Sequence, residues 1–275
     1  MPGAPPPDRP PLDAAALTSA VVGEGSLWRS VQVLETVGST NAVLAAEAAE
    51  DAPEGTVLVA EHQEAGRGRL DRAWISPPRA GLTVSVLLRP DVPASRRSWL
   101  PLLTGVALAE AVRDVGGVRA ALKWPNDLLA ADGGKLAGVL AETVPPPAQP
   151  GAVVVGVGLN VSTTSGELPE GATSLLLAGA PVLDRAALLV GYLRALAARY
   201  RAWTTGLGDP VTSGLARDYL SWSATVGTPV AVTLPDGSVV EGLAEALDWD
   251  GRLVVLTDAG RVELGTGDVR HVRRV

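Results

Sequence analysis

Residues 56–74 of the chain read TVLVAEHQEAGRGRLDRAW. The first five residues are apolar or β-branched, which predicts a short buried strand. The strand opens into a loop in which Gly66 and Gly68 alternate with Arg67 and Arg69. Glycine lets a backbone approach a ligand closely, and each guanidinium group offers a planar fork of donors. The loop suits an anion with planar or tetrahedral oxygens, although a solvated basic turn without a ligand stays open here.

Apolar runs on both sides of this strand predict a mixed α+β main domain. Further strands are predicted at 31–35, 81–88, 120–124, 135–142 and 152–160. Helices are predicted at 12–22, 42–50, 98–115, 184–204 and 210–219. The run at 152–160 lacks polar alternation, which indicates a strand buried on both faces. Because hairpin signals interrupt the helices, we expect a mixed sheet flanked by helices and not a doubly wound parallel sheet.

The two ends of the chain differ from this main domain. Residues 1–11 are rich in proline, so we expect a disordered tail. The segment that follows leaves no room for an N-terminal helix-turn-helix module. From residue 226 onward, turn signals recur about every ten residues, which predicts a small all-β barrel of about fifty residues. We therefore predict a tail at 1–11, a main domain at 12–222 and a barrel at 223–275.

Composition excludes several classes of function. The formal net charge is −7, which argues against a general nucleic-acid or anionic-membrane surface. The chain has no cysteine, so disulfides, zinc–thiolate sites and cysteine catalysis are excluded. It shows no signal peptide and no apolar run of the ~18 residues that a membrane helix needs. We expect a soluble, cytoplasmic protein.

Familiar nucleotide and metal signatures are absent from the sequence. The Gly134-Lys-Leu136 segment lacks the glycine spacing and the Ser or Thr of a P-loop, and Gly156-Val-Gly158 lacks a third glycine. His62 and His271 are the only two histidines, too few for an imidazole metal cage. A Ser-His-Asp triad would have to use His62, which has no nucleophile motif beside it.

Rare residue types mark the positions that remain. Of the 23 basic residues, only Lys123 and Lys135 are lysines, and the three asparagines are Asn41, Asn126 and Asn160. They stand at predicted turns or strand starts, where sites tend to be built. A retained lysine indicates a place where a compact ammonium group is needed instead of a broad guanidinium group.

Two sets of side chains are therefore candidates for a binding site. The neutral hydrogen-bonding set consists of Ser39, Thr40, Asn41, Gln63, Asn126 and Asn160. The cationic set consists of Arg67, Arg69, Arg72, Lys123 and Lys135. Taken singly, each residue has a plainer interpretation as a helix cap, a turn residue or an exposed strand residue.

Five segments together resemble the biotin protein ligase family. They are GSTN at 38–41, EHQEAGRGR at 61–69, KWPND at 123–127, GKLAGVLAE at 134–142 and GVGLN at 156–160. No one of them is specific, but the five occur in the family's order and spacing, and the resemblance runs from about residue 31 to the C-terminus. The chain is most similar to the monofunctional members, which lack an N-terminal helix-turn-helix.

The resemblance implies a class II synthetase-like, biotin–lipoate ligase fold with a C-terminal Src-homology-3-like barrel. It implies that ATP, with magnesium, activates biotin as biotinyl-5′-AMP. The biotinyl group then passes to a lysine of the biotin carboxyl carrier domain of acetyl-CoA carboxylase or another acyl-CoA carboxylase. No DNA or membrane partner is expected, and the protein is expected to be a monomer or a weak homodimer.

The resemblance also implies site residues. The biotin-binding set is Ser39, Thr40, Asn41, Gln63, Gly66, Arg67, Gly68, Arg69, Lys135 and Gly138. The ATP-binding set is Arg69, Arg72, Trp74, Lys123, Asn126, Asp127, Lys135 and Asn160. The catalytic set is Arg67, Arg69 and Lys135. Magnesium would be held by Asp127.

An electrostatic argument agrees with the catalytic set. A carboxylate and a phosphate ~4 Å apart repel by about 4 kcal/mol at an effective dielectric constant of about 20. Cations between the two anions offset that repulsion, most strongly as charge builds in the transition state.

Three other functions stay open. A lipoate or octanoate ligase shares the fold and the lysine chemistry, but it would need a long apolar tunnel in place of neutral hydrogen-bonding groups. A non-catalytic regulator that binds biotinyl-AMP would not need turnover supported by Lys135. An RNA-binding module fits poorly with the acidic net charge and a single short Arg-Gly repeat.

Overall fold

The computed structural model describes residues 8–145 and 151–272, so residues 1–7 of the predicted tail lie outside it. The described residues form a helix-flanked mixed sheet followed by a small antiparallel sheet. The predicted α+β class with a C-terminal all-β module is therefore confirmed. Within this part of the chain, no helix combines the length and the apolar character needed to span a membrane.

The main sheet holds seven of the strands in the described residues. They are β1 Ser30–Val37, β2 Thr56–Gln63, β3 Gly81–Leu88, β4 Ala120–Lys123, β5 Asp127–Ala130, β6 Lys135–Thr143 and β7 Val153–Asn160. The order is β1-β2-β3-β7-β6-β5-β4, with β1 and β2 parallel and the other pairs antiparallel. β3 and β7 are central and buried along their whole length, as the sequence predicts for β7.

Helices cover this sheet. They are α1 Ala14–Val21, α2 Thr40–Ala49, α3 Leu100–Asp114, α4 Arg185–Thr205 and α5 Leu215–Trp222. Asp13 and Asp184 each accept two backbone N–H bonds at the start of α1 and α4. α3 begins later than the predicted 98–115, because Ala94–Trp99 is a 3₁₀ segment and Pro101 stands in the first turn. α5 also begins late, after Gly214 at φ +76°.

The C-terminal module consists of five antiparallel strands. They are β8 Pro229–Thr233, β9 Val239–Leu247, β10 Leu253–Thr257, β11 Gly260–Leu264 and β12 Asp268–His271, in the order β11-β10-β9-β8-β12. The turn signals of the sequence fall between successive strands. The division at 222/223 stays a prediction, and residues 273–275 of the predicted barrel lie outside the described residues.

One continuous core joins the module to the main domain. Trp99 and Trp124 are almost fully buried. Their indole N–H groups donate to the carbonyl oxygens of Trp249 and Gly251, at 3.0 and 3.1 Å. Each tryptophan thus supplies apolar area and a hydrogen-bond donor at the same contact. The module is attached beside α3 and β4, next to one edge of the main sheet.

Two residues of the predicted tail form hydrogen bonds with the main domain, and the extent of the tail stays a prediction. Arg9 donates to the Glu167 carboxylate at 2.7 Å. The Pro10 carbonyl oxygen accepts a hydrogen bond from Arg185. A buried guanidinium group needs such partners, and this need holds the segment against the domain.

Candidate active site

One row of paired residues crosses the main sheet beneath a cavity. Thr83 on β3 pairs with Gly158 on β7, which pairs with Gly138 on β6. Gly138 pairs in turn with Asp127 on β5, and Asp127 pairs with Lys123 on β4. Directly opposed residues of adjacent strands face the same side of a sheet. The row therefore runs from a neutral hydroxyl, over two glycines, to a carboxylate and an ammonium group.

The two glycines leave a flat floor on which the Trp74 indole lies. A methyl group at Gly158 would lie 2.3 Å from Cε2 of Trp74, and one at Gly138 would lie 3.3 Å from Nζ of Lys135. Lys135 Nζ is 5.8 Å from the centroid of the Trp74 ring, within the range of a cation–π contact. Glycine is needed at 158 because a larger side chain would displace the indole.

Neutral hydrogen-bonding groups gather on the β2–β3 side of this floor. Ser39 is the N-cap residue of α2, and its hydroxyl makes no capping bond. The backbone N–H and the hydroxyl of Thr40 lie 2.7 and 3.0 Å from Oε1 of Gln63. The Ser85 hydroxyl lies 2.7 Å from Oγ1 of Thr40 and 2.6 Å from Oδ1 of Asn41. Except for Gln63, these residues are buried, and Thr40, Asn41 and Ser85 satisfy one another away from water.

The arginine–glycine loop at 65–74 is closed by its own backbone. Gly66 accepts a hydrogen bond from the Trp74 N–H at 2.8 Å, and the Gly68 N–H donates to the Arg72 carbonyl at 2.6 Å. A methyl group at Gly66 would lie 2.4 Å from the Trp74 carbonyl oxygen. The close approach that requires Gly66 is therefore to Trp74, and Gly66 lies outside the cavity lining. Leu70, at the tip, has φ +55° and is 51% exposed.

Charged groups gather on the β4–β6 side. Lys135 Nζ forms an ion pair with the Asp127 carboxylate at 2.7 Å. Arg69 donates to the Asn126 side-chain oxygen at 3.2 Å and to the Thr266 hydroxyl. Thr266 precedes β12, so the C-terminal module takes part in holding this arginine. The structure thus gives the two basic side chains defined positions.

Two further arginines of the loop are paired with carboxylates. Arg72 donates to Asp268 at 2.7 Å, and Arg67 lies 3.3 Å from the Glu142 carboxylate. The hydrogen bond to Asp268 raises the pKa of Arg72, whereas burial lowers the pKa of Arg69. Because an arginine pKa lies far above neutrality, both side chains stay cationic.

All the predicted site residues except Gly66 line one cavity of about 1180 Å³, its open mouth included. The lining holds Ser39, Thr40, Asn41, Gln63, Arg67, Gly68, Arg69, Arg72, Trp74, Lys123, Asn126, Asp127, Lys135, Gly138 and Asn160. Asn160 is buried and donates to the Thr173 carbonyl at 3.0 Å, so one of its N–H groups is already committed. The contact roles of the individual residues stay predictions.

Some residues of the site are not apparent from local sequence. Ser85 stands in an apolar strand, and its polarity within a fully buried run is the only signal. From the C-terminal module, Asp268 lines the cavity and Thr266 accepts a hydrogen bond from Arg69, and nothing in their sequence neighbourhood indicates this. Glu142 ends one of the five motifs, and the structure adds its bonds to Asn41 and Arg67.

Two matches with known families cover most of the chain. Residues 33–160 match the Biotin/lipoate A/B protein ligase family, and residues 225–272 match the Biotin protein ligase C terminal domain. A solved biotin protein ligase from Aquifex aeolicus, in complex with biotin and ATP, superposes with a TM-score of 0.73. It is 28% identical and covers 89% of this chain and 100% of its own. The fold is that of a protein ligase of the biotin and lipoate class.

Curated sequences narrow this class. The biotin–[acetyl-CoA-carboxylase] ligase of Mycobacterium tuberculosis is 44% identical over 270 residues, 96% of this chain and 97% of that protein. The bifunctional ligase/repressor BirA of Bacillus subtilis is 34% identical over 199 residues, 71% of this chain and 59% of that protein. The chain belongs to the biotin protein ligase family and is an enzyme of the ligase type.

Proposed function

We propose that the enzyme uses ATP to activate biotin as biotinyl-5′-AMP and transfers the biotinyl group to a lysine of a biotin carboxyl carrier domain. The observation that carries this proposal is the polarity of the cavity. Neutral hydrogen-bonding groups lie on the β2–β3 side, glycines form the floor, and cations lie on the β4–β6 side. A ligand with a neutral polar head and a carboxylate tail matches that order.

The neutral end suits the ureido ring of biotin. The ring offers one carbonyl acceptor and two N–H donors, which hydroxyl and amide groups such as those of Thr40 and Gln63 satisfy without burying an ion. The dithiolane of lipoate has no matching donor or acceptor and would leave these buried groups unpaired, which is costly. This favours biotin over the lipoate or octanoate alternative.

The cationic end suits the first chemical step. A carboxylate oxygen of biotin attacks the α-phosphorus of ATP, the new O–P bond forms, and pyrophosphate leaves. Arg67, Arg69 and Lys135 are the cations that offset the repulsion between the two anions. Each of them now binds a protein oxygen, and we expect these partners to be exchanged for ligand oxygens.

ATP is expected on the side where β4, β5 and the C-terminal module meet. The proposed contacts are Arg69, Arg72, Trp74, Lys123, Asn126, Asp127, Lys135 and Asn160. In the described part of the chain, no group of three or more His, Asp or Glu side chains could hold a metal ion by itself. Magnesium commonly uses one or two carboxylates together with substrate phosphates and water, so Asp127 fits as a single protein ligand beside ATP. The ion would neutralise phosphate charge.

The second step transfers the biotinyl group to the carrier. The lysine amine attacks the carbonyl carbon of the adenylate, an amide bond forms, and AMP leaves. The adenylate is a reactive anhydride, and the loop at 65–74 lies where it can close over it and exclude water. The name of the Mycobacterium tuberculosis relative refers to acetyl-CoA carboxylase, which supports an acyl-CoA carboxylase as the source of the carrier.

Carrier modification tests the proposal. Purified enzyme, biotin, ATP, magnesium and a recombinant carrier domain are expected to give a carrier heavier by one biotinyl group, read by intact-mass spectrometry. Lipoate in place of biotin is expected to leave the carrier unchanged. Modification with lipoate and not with biotin would establish the alternative ligase. Adenylate formation without carrier modification would show that the carrier domain is not the acceptor of the biotinyl group.

A further inference from the structure

Residues 162–173, the wall segment, form one side of the cavity and bind two of its functional residues. Pro169 lines the cavity. The Thr173 N–H donates to the Lys135 carbonyl oxygen at 2.9 Å, and the Thr173 carbonyl oxygen accepts from the Asn160 side chain at 3.0 Å. Because Lys135 and Asn160 belong to the proposed ATP-binding set, the wall segment lies on the ATP side of the cavity.

The middle of the wall segment, residues 164–170, is tied to the domain by a residue from the beginning of the chain. Within the described part of the chain, the hydrogen bonds of 164–170 stay inside the wall segment, except those that Glu167 accepts from Arg9. Nη1 and Nη2 of Arg9 donate to Oε1 and Oε2 of Glu167 at 3.1 and 2.7 Å. Arg9 also donates to the Ser162 carbonyl oxygen at 3.0 Å. One guanidinium group therefore joins the start of the wall segment to its middle.

Glu167 passes this restraint on to the backbone. Its Oε2 also accepts from the N–H and the hydroxyl of Thr164, both at 2.9 Å, and these bonds close the 3₁₀ turn Ser165–Glu167. Pro169 follows two residues later, and its ring fixes φ. Few free backbone rotations therefore separate the turn held by Arg9 from the lining of the cavity.

We infer that Arg9 is a positioning residue for ATP binding, because it holds the wall segment in the place where ATP binds beside it. The inference rests on the proposed function, in which ATP occupies this side of the cavity. Arg9 is not among the lining residues and acts through Glu167. Without Arg9, only a fraction of the molecules has the wall segment in place, and the apparent affinity for ATP falls by that fraction. Molecules that have bound ATP have an ordered wall segment, so the rate at saturation is kept.

Pyrophosphate release at saturating biotin compares the wild-type enzyme with Arg9→Met. Arg9→Met is expected to raise the KM for ATP about five- to tenfold, the scale of losing a hydrogen bond to a charged group. The kcat is expected to change less than about twofold, since only the binding-competent fraction is altered. Biotin affinity, measured by calorimetry without ATP, is also expected to change less than about twofold, because Thr40, Asn41 and Ser85 hold the neutral end among themselves. A purely structural role would instead lower the active fraction, and with it kcat, at an unchanged KM.

Arg194→Met is the matched control. Arg194 donates to the Ala20 carbonyl oxygen at 3.1 Å, so it also ties the N-terminal part of the chain to the main domain. It is not among the residues that line the cavity. Arg194→Met is therefore expected to leave the KM for ATP unchanged.

Glu167→Ala removes the partner of Arg9 and provides a second test. If Arg9 acts through Glu167, the KM for ATP of the double variant rises by much less than the product of the two single increases. An increase equal to that product, an unchanged KM in Arg9→Met, a loss of kcat in its place, or an equal rise of KM in Arg194→Met would each overturn the inference. A wild-type enzyme that releases no pyrophosphate with biotin and ATP overturns the proposed function itself, and this result is seen before any variant is compared.

Discussion

The Lys135 ammonium group lies in a narrow space and is paired with a carboxylate. Its ammonium group lies 2.7 Å from the Asp127 carboxylate, and Gly138 and the Trp74 ring bound the space around it. A guanidinium group is broader and makes its bonds in a planar fork. This geometry explains why position 135 has a lysine in a chain whose other basic residues are almost all arginines.

Variants at Lys135 test this explanation. Lys135→Ala is expected to lower the rate of adenylate formation by about 10²- to 10³-fold, the scale of losing one group that stabilises developing charge. Lys135→Arg is expected to recover less than a tenth of the lost rate, because the fork does not fit. Single-turnover release of pyrophosphate measures both. A Lys135→Arg enzyme with wild-type rates would contradict the requirement for a compact ammonium group.

The position of the Trp74 indole depends on Gly158. In Gly158→Ala the added methyl group would lie 2.3 Å from the Trp74 ring, so the ring has to move. We expect biotin affinity, measured by calorimetry, to fall at least about tenfold. Gly23→Ala is the matched control, since a methyl group there meets no atom within 4 Å. Equal biotin affinities in the two variants would show that the position of Trp74 does not matter.

At the scale of single residues, sequence predicted the set of lining residues better than their partners. Rare lysines and asparagines are visible because their spacing and scarcity are properties of the chain. The bond between Asn41 and Glu142 is not visible, since it requires β6 to lie next to β7 above the start of α2. Gly66 shows the same limit: the glycine is required, but for contact with Trp74.

In the proposed function, the arginine–glycine loop is the element that shields the adenylate from water. Gly66→Ala places a methyl group 2.4 Å from the Trp74 carbonyl oxygen, whereas Gly68→Ala places one 3.3 Å from the Arg72 carbonyl oxygen. We expect Gly66→Ala to speed loss of the adenylate to water and Gly68→Ala to have a smaller effect. Rapid-quench measurement of biotinyl-AMP without carrier gives both rates. Two unchanged rates would contradict a shielding role for the loop.

At the scale of elements, strands were predicted more closely than helix starts. Apolar runs such as 81–88 have a length and composition that only a buried strand suits, and β3 spans the same residues. The start of α3 depends on the 3₁₀ segment before it, and the start of α5 depends on Gly214. The hydrophobic periodicity of the sequence reveals neither feature.

A buried ion pair between Glu61 and Arg185 binds the N-terminal segment, because Leu12 donates to Glu61 and Arg185 donates to Pro10. Glu61 and Arg185 lie 2.6 Å apart, with side chains 1% and 6% exposed. Arg185→Met leaves a buried carboxylate without its cation and is expected to lower the free energy of unfolding by about 3–5 kcal/mol. Arg261→Met breaks the exposed pair with Glu245 and is expected to leave the free energy of unfolding nearly unchanged. Urea denaturation compares them, and equal losses would contradict the role of the buried pair.

A second contact of this segment makes stability depend on pH. The hydrogen bond from Arg9 lowers the pKa of Glu167 to about 2, from an ordinary value of 4.5. A carboxyl group whose pKa is depressed by folding stabilises the folded state above its unfolded pKa, and the contribution is lost as pH falls through the folded pKa. The part of the stability difference between wild type and Arg9→Met that comes from this carboxylate is therefore expected to be constant well above pH 4.5 and to be lost as pH falls through about 2. A difference independent of pH would contradict the assignment.

At the scale of the whole molecule, the sequence indicates a small C-terminal module but not its part in the site. Thr266 and Asp268 bind Arg69 and Arg72 across the boundary between the sheets. Such contacts follow from how Trp99 and Trp124 attach the module, and no local pattern encodes them. The expected monomer or weak homodimer stays a prediction.

Biotin-dependent exchange of labelled pyrophosphate into ATP tests the central claim most directly, because it reports the reversal of adenylate formation and needs no carrier. The cavity polarity predicts exchange that requires biotin, is lost in Lys135→Ala and does not occur with lipoate. Absence of exchange with biotin in the wild-type enzyme, or exchange supported equally by lipoate, would contradict the claim that this cavity activates biotin with ATP.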